Sequence, residues 1–441
     1  MIGIGGIGMS ALARYYKSQG FQVSGSNMGE STDLISGLIK EGVFVICGDQ
    51  VASNVPVDSD IIIYTVAIGS DNAELIAAHH IANNSEKKVK ILTYAEALGV
   101  MSNNKRVIAV CGSHGKTTTT ALVYFALREA GLDPSVIIGS LININGKKTN
   151  YIASENKDSE WLIIEACEYK RSFMNYDPEI ILVTNIDNDH LDYFKDLDDI
   201  KNTFQEFANK LNNLETKKLN KLIIHQEEDY LNLNIFANKV ICDQIELSTI
   251  ELSVPGLHNR KNAQLVLALS NVLGLDNQKI RIGLKKFMGT WRRQEYKGKY
   301  FNMDFYDDYA HHPTEIKATL QAFKEKYKDD IHGKKIVAVF QPHLYSRTKI
   351  LFDDFVTSFS DADEIIILPI YAAREKYDDS IDSQMLVREI QNKFGDKNIT
   401  YIKVEYDNWN LLKDYLEINA NENKVVITMG AGDVHHVYDI M

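Results

Sequence analysis

An α/β fold built on parallel sheets is what this sequence predicts, and three observations predict it. Short apolar strands alternate with amphipathic helical stretches along the chain, the pattern of parallel sheets covered by helices. Several strands end abruptly in loops rich in glycine, acids or histidine, and such loops gather at the carboxyl edge of parallel sheets, where ligands bind. At 441 residues the chain is too long for one compact core, so roughly two to four domains are expected.

Composition narrows the function. Hydrophobic residues are 45% and charged residues 24%, enough apolar material for several cores. The net charge is −12, which opposes the phosphate field of a nucleic acid and disfavours that partner, so none is expected. Cys47, Cys111, Cys167 and Cys242 show no C-x-x-C spacing. That argues against a zinc cage or a disulfide framework, suits a reducing cytosol, and reads as small buried hydrophobes. Met1 leads straight into a glycine turn, not into a signal peptide. No apolar run approaches the ~20 residues needed to cross a bilayer. A cytoplasmic protein with no membrane partner is expected.

The chain separates into three blocks, with expected domains at residues 1–103, 104–287 and 288–441. The first opens with an apolar strand at 2–4, a glycine turn and a helix, and continues through strands near 22–24 and 61–65. The second opens with the strand at 107–110 and closes in helices from 262 onward. The third carries strong strands at 335–340, 364–368 and 424–428. The polar stretch 215–244 reads as peripheral strands and loops.

The strongest motif is Val107-Ile-Ala-Val-Cys-Gly-Ser-His-Gly-Lys-Thr-Thr-Thr-Thr120. An apolar strand ends in a Gly-x-x-Gly-Lys-Thr turn, and a helix follows. Glycines let the backbone wrap a phosphate, and amides at the helix start donate to its oxygens. Gly112, Ser113, His114, Gly115 and Thr118 form this cradle around ATP. Lys116 is placed to reach the terminal phosphates and Thr117 to hold magnesium. A strict P-loop has four residues between its glycines; here there are two.

Two further strands in this block end in Glu165-Ala-Cys-Glu168 and in Asn185-Ile-Asp-Asn-Asp-His190. Glu165 and His190 are candidate magnesium ligands beside the phosphates. Histidine is unusual for magnesium, so a capping or hydrogen-bonded loop role stays open for His190. Gly3-Ile-Gly-Gly-Ile-Gly8 fits G-x-G-x-x-G before a helix. Asn27 stands where a dinucleotide site needs an acid, which excludes NAD but leaves a diphosphate on the turn. Pro255-Gly-Leu-His-Asn-Arg-Lys-Asn-Ala263 reads as a helix start. In the third block, strand ends bring His311, His312, His343, Arg347 and Arg374 to one edge, a basic and aromatic rim suited to an anionic substrate.

Together these motifs resemble the Mur ligase family, the ATP-dependent enzymes that add amino acids to the peptidoglycan precursor. The shortened loop at Gly112 is that family's form of the P-loop. Within the family, the likeness is strongest to the activity that joins L-alanine to UDP-N-acetylmuramate. It rests on residues 3–10, Glu165-Ala-Cys-Glu-Tyr169, Thr184-Asn-Ile-Asp-Asn-Asp-His190, His258-Asn259, Asn262-Ala263, Arg292-Arg293, Asp307-Asp-Tyr-Ala-His-His-Pro-Thr-Glu315, Gln341-Pro-His343 and Ser346-Arg-Thr348. A tripeptide-recycling ligase on the same nucleotide sugar is the alternative.

The resemblance implies a Rossmann-like N-terminal domain, a P-loop-type central ATPase domain and a Rossmann-like C-terminal domain. It implies UDP-sugar contacts at Gly5, Gly6, Ile7, Gly8, Met9, Ser10 and Ser26. Asn259 and Asn262 would contact the adenine side, Asp308 the ATP site, and Arg293 the γ-phosphate. Tyr309, His343 and Arg347 would meet the alanine, and Lys116, Arg293, His343 and Arg347 would form the catalytic set. Magnesium would sit on Thr117, Glu165 and His190. The state would be a monomer or homodimer. The chain departs from the family pattern in the short lead before the first glycine turn, at Asn27, at Thr65-Val66, at Leu344, where many members have arginine, and in ending soon after Asp433.

Overall fold

The computed structural model describes the chain except residues 104, 157, 191–192, 213–218, 229–238, 329–332, 374, 396 and 405–407. Arg374 and parts of the 215–244 stretch therefore lie outside the described residues. Internal contacts divide the chain into two compact units. Residues 1–187, 196–246 and 263–284 form the first, and residues 188–195, 247–262 and 285–441 the second.

The first unit begins with two parallel strand pairs. β1 (Ser24–Asn27) pairs with β2 (Phe44–Cys47), and β3 (Ile61–Tyr64) pairs with β4 (Lys90–Thr93). The expected strand at 2–4 is reduced to Ile2, which bridges Ser26 of β1 and Tyr64 of β3. The chain turns straight after it into the helix Ile7–Ser18.

The same unit holds a seven-stranded sheet. Its strands are β5 (Arg106–Cys111), β6 (Ser135–Ile144), β7 (Lys147–Ile152), β8 (Trp161–Glu165), β9 (Ile180–Val183), β10 (Lys221–Ile224) and β11 (Lys239–Ile241). They lie in the order β11-β10-β9-β5-β8-β6-β7. Only the β6–β7 hairpin is antiparallel. Side chains from Val107 to Cys111 are buried, as in a strand covered on both faces, which is why it reads as an unbroken apolar run. β5 lies between β8 and β9, so the ends of all three motif-bearing strands share one edge.

The second unit holds a six-stranded sheet. Its strands are β12 (Glu295–Tyr300), β13 (Met303–Asp308), β14 (Lys335–Phe340), β15 (Glu364–Ile367), β16 (Asn398–Tyr401) and β17 (Lys424–Met429). They lie in the order β12-β13-β17-β14-β15-β16 and are parallel apart from the β12–β13 hairpin. Alternation sorts β14 between two cores. Ile336, Ala338 and Phe340 pack with Phe355 and Phe359, while Val337 and Val339 pack with Trp409 and Leu412. Because β17 lies between β13 and β14, Asp308, Gln341 and Gly430 leave neighbouring strand ends.

Candidate active site

β5 delivers the chain into the glycine loop, and the helix Lys116–Glu129 carries it away. Gly112 has φ +134°, and a Cβ there would lie 2.0 Å from Thr184 Oγ1, so only glycine lets the loop pass beneath β9. The loop's shape is held by the segment after β9. Asn185 Oδ1 accepts from the His114 amide at 2.9 Å, and Asn185 Nδ2 donates to the His114 carbonyl at 3.0 Å. Ser113 Oγ accepts from the Asp187 amide at 2.8 Å, and His114 Nε2 meets Asp187 Oδ2 at 3.1 Å. The first-turn amides of the following helix have no intrahelical acceptor, which leaves the loop mouth rich in donors. Thr118 is buried in that first turn.

Lys116 folds back over this mouth. Its ammonium donates to the Gly112 and Ser113 carbonyls and lies 2.9 Å from Glu168 Oε1. Thr117 Oγ1 donates to Glu165 Oε1 at 2.8 Å, and the other Glu165 oxygen accepts from the Gly139 amide. A hydroxyl and a carboxylate oxygen thus lie side by side at the helix start. These hard oxygen donors fit magnesium.

The first glycine turn is pinned from two sides. Asn27 Oδ1 accepts from the Gly5 amide at 3.2 Å, so the residue standing in the acid's place serves the turn itself. Ile7 and Gly8 open the helix whose N-cap is Gly6, and a Cβ on Gly8 would lie 2.6 Å from the Tyr94 ring. Burial raises the Tyr94 phenol's pKa, and the charges of Glu165 and Cys167 add to the shift. The Ser26 hydroxyl donates to buried Glu74, and its carbonyl accepts from Gly3 and Ile4. Ser10 is fully buried and donates to the Ile7 carbonyl, while Asn150 donates to it in turn. Met9 is buried beside it.

In the second unit the arginine pair splits into two roles. Arg292 is buried, with Nε on Asp307 Oδ2 at 2.8 Å and its other nitrogens on the Gly432 and Gly430 carbonyls. Arg293 is less buried and lies 3.5 Å from Glu315, and both guanidiniums sit 5.2 Å from the Tyr309 ring. Asp308 accepts from the amides of Gln294 and Ala310 and from Thr319. Burial pushes its carboxyl up to about 6, against the opposing pull of Arg293. Asn259 donates to the Pro255 carbonyl at 2.6 Å within the start of the helix Leu257–Leu273, and Asn262 is buried one turn on.

The rim residues form a second cluster. His343 stacks on Tyr371 and meets Arg347 at 3.3 Å. Arg347 also lies 3.4 Å from Asp189. His190 has φ +55° and donates its amide to Asp189 Oδ1 at 2.7 Å. A small cavity of about 30 Å³ opens here, lined by Asp189, His190, Leu344 and Arg347 among others. His312 does not sit on the rim as a free base: it caps the helix Pro313–Lys326, and its Nε2 reaches the Asn188 carbonyl. These ties explain why residues 188–195 belong with the second unit although the sequence places them inside the second block. Sequence reasoning assigned no role to Glu168, Asp189, Glu315 or Tyr94. The one available signal was Glu168 closing the same strand-end motif as Glu165.

Three family profiles match along the chain: Mur ligase family, catalytic domain, over residues 1–106; Mur ligase middle domain over 110–270; and Mur ligase, glutamate ligase domain, over 292–432. A UDP-N-acetylmuramate–L-alanine ligase of Caldicellulosiruptor bescii is 38% identical, with 100% of this chain and 97% of that protein covered. The chain belongs to the Mur ligase family. A second such relative, from Clostridium botulinum (strain Langeland), is 39% identical over 99% of this chain and 95% of its own length. Among solved structures, the UDP-N-acetylmuramate–alanine ligase of Thermotoga maritima matches with TM-score 0.77 and 26% identity, covering 100% of this chain and 96% of that one. The murein peptide ligase of Psychrobacter arcticus matches with TM-score 0.65 and 20% identity over 100% and 96% of the two chains, which shows the shared fold. The three-domain architecture expected from the sequence is that of this Mur ligase. The family couples ligation to ATP.

Proposed function

We propose that this Mur ligase joins L-alanine to UDP-N-acetylmuramate, with ATP converted to ADP and phosphate, in the synthesis of the peptidoglycan precursor. The observation that carries this reading is the full-length likeness to relatives of that name, at 38% identity or better in the two quoted above. The intact Lys116–Glu168 and Thr117–Glu165 arrangement supports it. The domain boundaries we assign are 1–103 for the UDP-sugar, 104–287 for ATP and 288–441 for the amino acid.

In the first step a lactyl carboxylate oxygen attacks the γ-phosphorus, the bond to the β-phosphate oxygen breaks, and ADP leaves. This chemistry is mostly positioning and charge neutralisation. Lys116 and Arg293 supply cations, and the loop amides supply donors. Thr117 and Glu165, with His190, would hold magnesium, which neutralises phosphate charge when bound. In the second step the neutral alanine amine attacks the acyl carbonyl, a C–N bond forms, the acyl C–O bond breaks as phosphate leaves, and the proton lost by nitrogen passes to the departing phosphate or solvent. Arg347 holds the alanine carboxylate, with Tyr309 and His343 beside it. Exclusion of water protects the acyl phosphate during this step. Asn259, Asn262 and Asp308 contribute to the nucleotide site, and Gly5, Gly6, Ile7, Gly8, Met9, Ser10 and Ser26 to the UDP-sugar turn.

Among the described residues no helix is long and apolar enough to cross a membrane, and we place the enzyme in the cytoplasm as a monomer or homodimer acting on soluble small molecules. Incubation with UDP-N-acetylmuramate, ATP, magnesium and each amino acid in turn tests the assignment. Efficient use of a ready-made tripeptide in place of alanine would move it to the recycling reaction.

A further inference from the structure

β10 and β11 pair in parallel with Ile224 opposite Ile241. The residues that follow, His225 and Cys242, therefore leave the sheet side by side at its carboxyl edge. Both are buried, at 3% and 1% exposure. Cys242 Sγ lies 3.2 Å from His225 Nδ1. Asp243 Oδ2 lies 3.5 Å from the same nitrogen and 3.9 Å from the sulfur. Three donors of three chemical kinds thus lie within 4.8 Å of one another. A buried cysteine is ordinarily a small hydrophobe among apolar neighbours; a sulfur flanked by an imidazole, 3.2 Å from Nδ1 and 3.9 Å from Nε2, and by a carboxylate is in a different environment.

The triangle has the dimensions of a zinc site. Tetrahedral zinc, with bonds of about 2.3 Å to sulfur and about 2.0–2.2 Å to nitrogen and oxygen, holds its ligand atoms roughly 3.3–3.6 Å apart. All three measured edges fall within about 0.4 Å of that range. The Gln226 amide donates to Asp243 Oδ2 at 2.7 Å, an outer bond of the kind that fixes a ligand carboxylate. The Asp243 side chain is 38% exposed and gives the ion a way in from solvent.

We propose that His225, Cys242 and Asp243 form a binding site for a zinc-class divalent cation, with solvent in the fourth position. Thiolate and imidazole donors select zinc, cobalt or nickel over magnesium or calcium. On binding, the Cys242 Sγ–H bond breaks, its proton passes to solvent, and the sulfur pair forms the metal bond, while His225 coordinates as the neutral imidazole. The ion would tie the edge strand β11 to β10, far in kind from the oxygen donors at Thr117 and Glu165. The donors come from two segments 17 residues apart, so no C-x-x-C spacing announces them.

The test uses the full-length protein, stripped with a chelator and titrated with cobalt(II) in excess magnesium. The expected result is saturable sulfur-to-cobalt charge-transfer absorption in the near ultraviolet, at about one equivalent per chain. Cys242→Ser should abolish that band and Cys47→Ser should retain it. Outer-shell changes alone cost about 10–100-fold in metal affinity, so Asp243→Asn should weaken cobalt binding at least about tenfold. If Cys242→Ser fails to fold by circular dichroism, His225→Gln and Asp243→Asn decide through affinity. Absence of the band in the wild-type protein overturns the site. So does a band that survives Cys242→Ser, or an unchanged affinity in Asp243→Asn.

Discussion

Lys116 and Glu168 form a half-buried ion pair at 2.9 Å in the mouth of the glycine loop, with side-chain exposures of 13% and 2%. The pair joins the start of one helix to the segment that follows β8. It gives the loop's lysine a fixed position before any nucleotide is considered.

Lys116→Ala removes the cation we assign to the transferred phosphoryl group, and turnover should fall by several powers of ten. UDP-sugar binding, which we assign to the separate turn at residues 5–8, should stay near wild type in calorimetry. The variant also removes one charged hydrogen-bond partner of the buried Glu168 carboxylate, which should lower stability by about 1–3 kcal/mol. The double variant Lys116→Met/Glu168→Gln should recover most of that stability and none of the activity. Denaturant melts alongside steady-state rates separate the two effects.

Arg292 and Arg293 are adjacent in sequence and opposite in consequence. Arg292→Met leaves Asp307 buried without its cation and should cost about 3–5 kcal/mol in unfolding free energy. Arg293→Ala, which breaks a longer contact to Glu315, should cost under about 1 kcal/mol. Its effect should appear in the rate of ATP turnover instead. Urea unfolding of both variants checks the contrast.

His258 and His311 give the fold an acid-side limit. Burial lowers His258 to about 4 and His311 to about 3; Glu315 opposes the shift in both, while Arg260 and Arg293 add to it in the first and Arg347 in the second. Both rings are therefore neutral in the folded chain and take up protons more readily when it unfolds, near the ordinary value of about 6.5. Their contribution to stability is whole above about pH 6.5 and is lost as pH falls toward about 4. The melting temperature should drop across that window, and His258→Gln should shallow the drop. A melting temperature that is flat from pH 7 to 4 would contradict this.

Arg347→Ala should raise the Michaelis constant for alanine about 10–100-fold, the value of a hydrogen bond to a charged group, and leave that for ATP nearly unchanged. Arg347→Lys should recover only part of the loss, because an ammonium cannot reproduce the planar fork that meets a carboxylate. Unaltered alanine kinetics in Arg347→Ala would remove this residue from the pocket.

The fold was legible where local chemistry dictates it. The apolar run 107–111, its glycines and the following threonines specify a strand, a tight turn and a helix without help from the rest of the chain. The strands at 335–340 and 424–428 announced themselves in the same way. Less visible were residues whose meaning depends on a distant partner. Asp189 is one acid among several in its loop until Arg347 comes beside it. Arg292 and Arg293 look alike until Asp307 claims one of them. The strand at 2–4 was overestimated, because the glycine turn follows too closely for more than a bridge at Ile2. Asn27 counted only as a missing acid until its side chain was found on the Gly5 amide.

The most direct test of the central claim is the product of a single incubation with UDP-N-acetylmuramate, L-alanine, ATP and magnesium, followed by mass spectrometry. UDP-N-acetylmuramoyl-L-alanine should form in equal amount with ADP and phosphate, and none should form without ATP. AMP and diphosphate among the products, or a sugar nucleotide left unchanged while a tripeptide is joined to it efficiently in a parallel reaction, would contradict it.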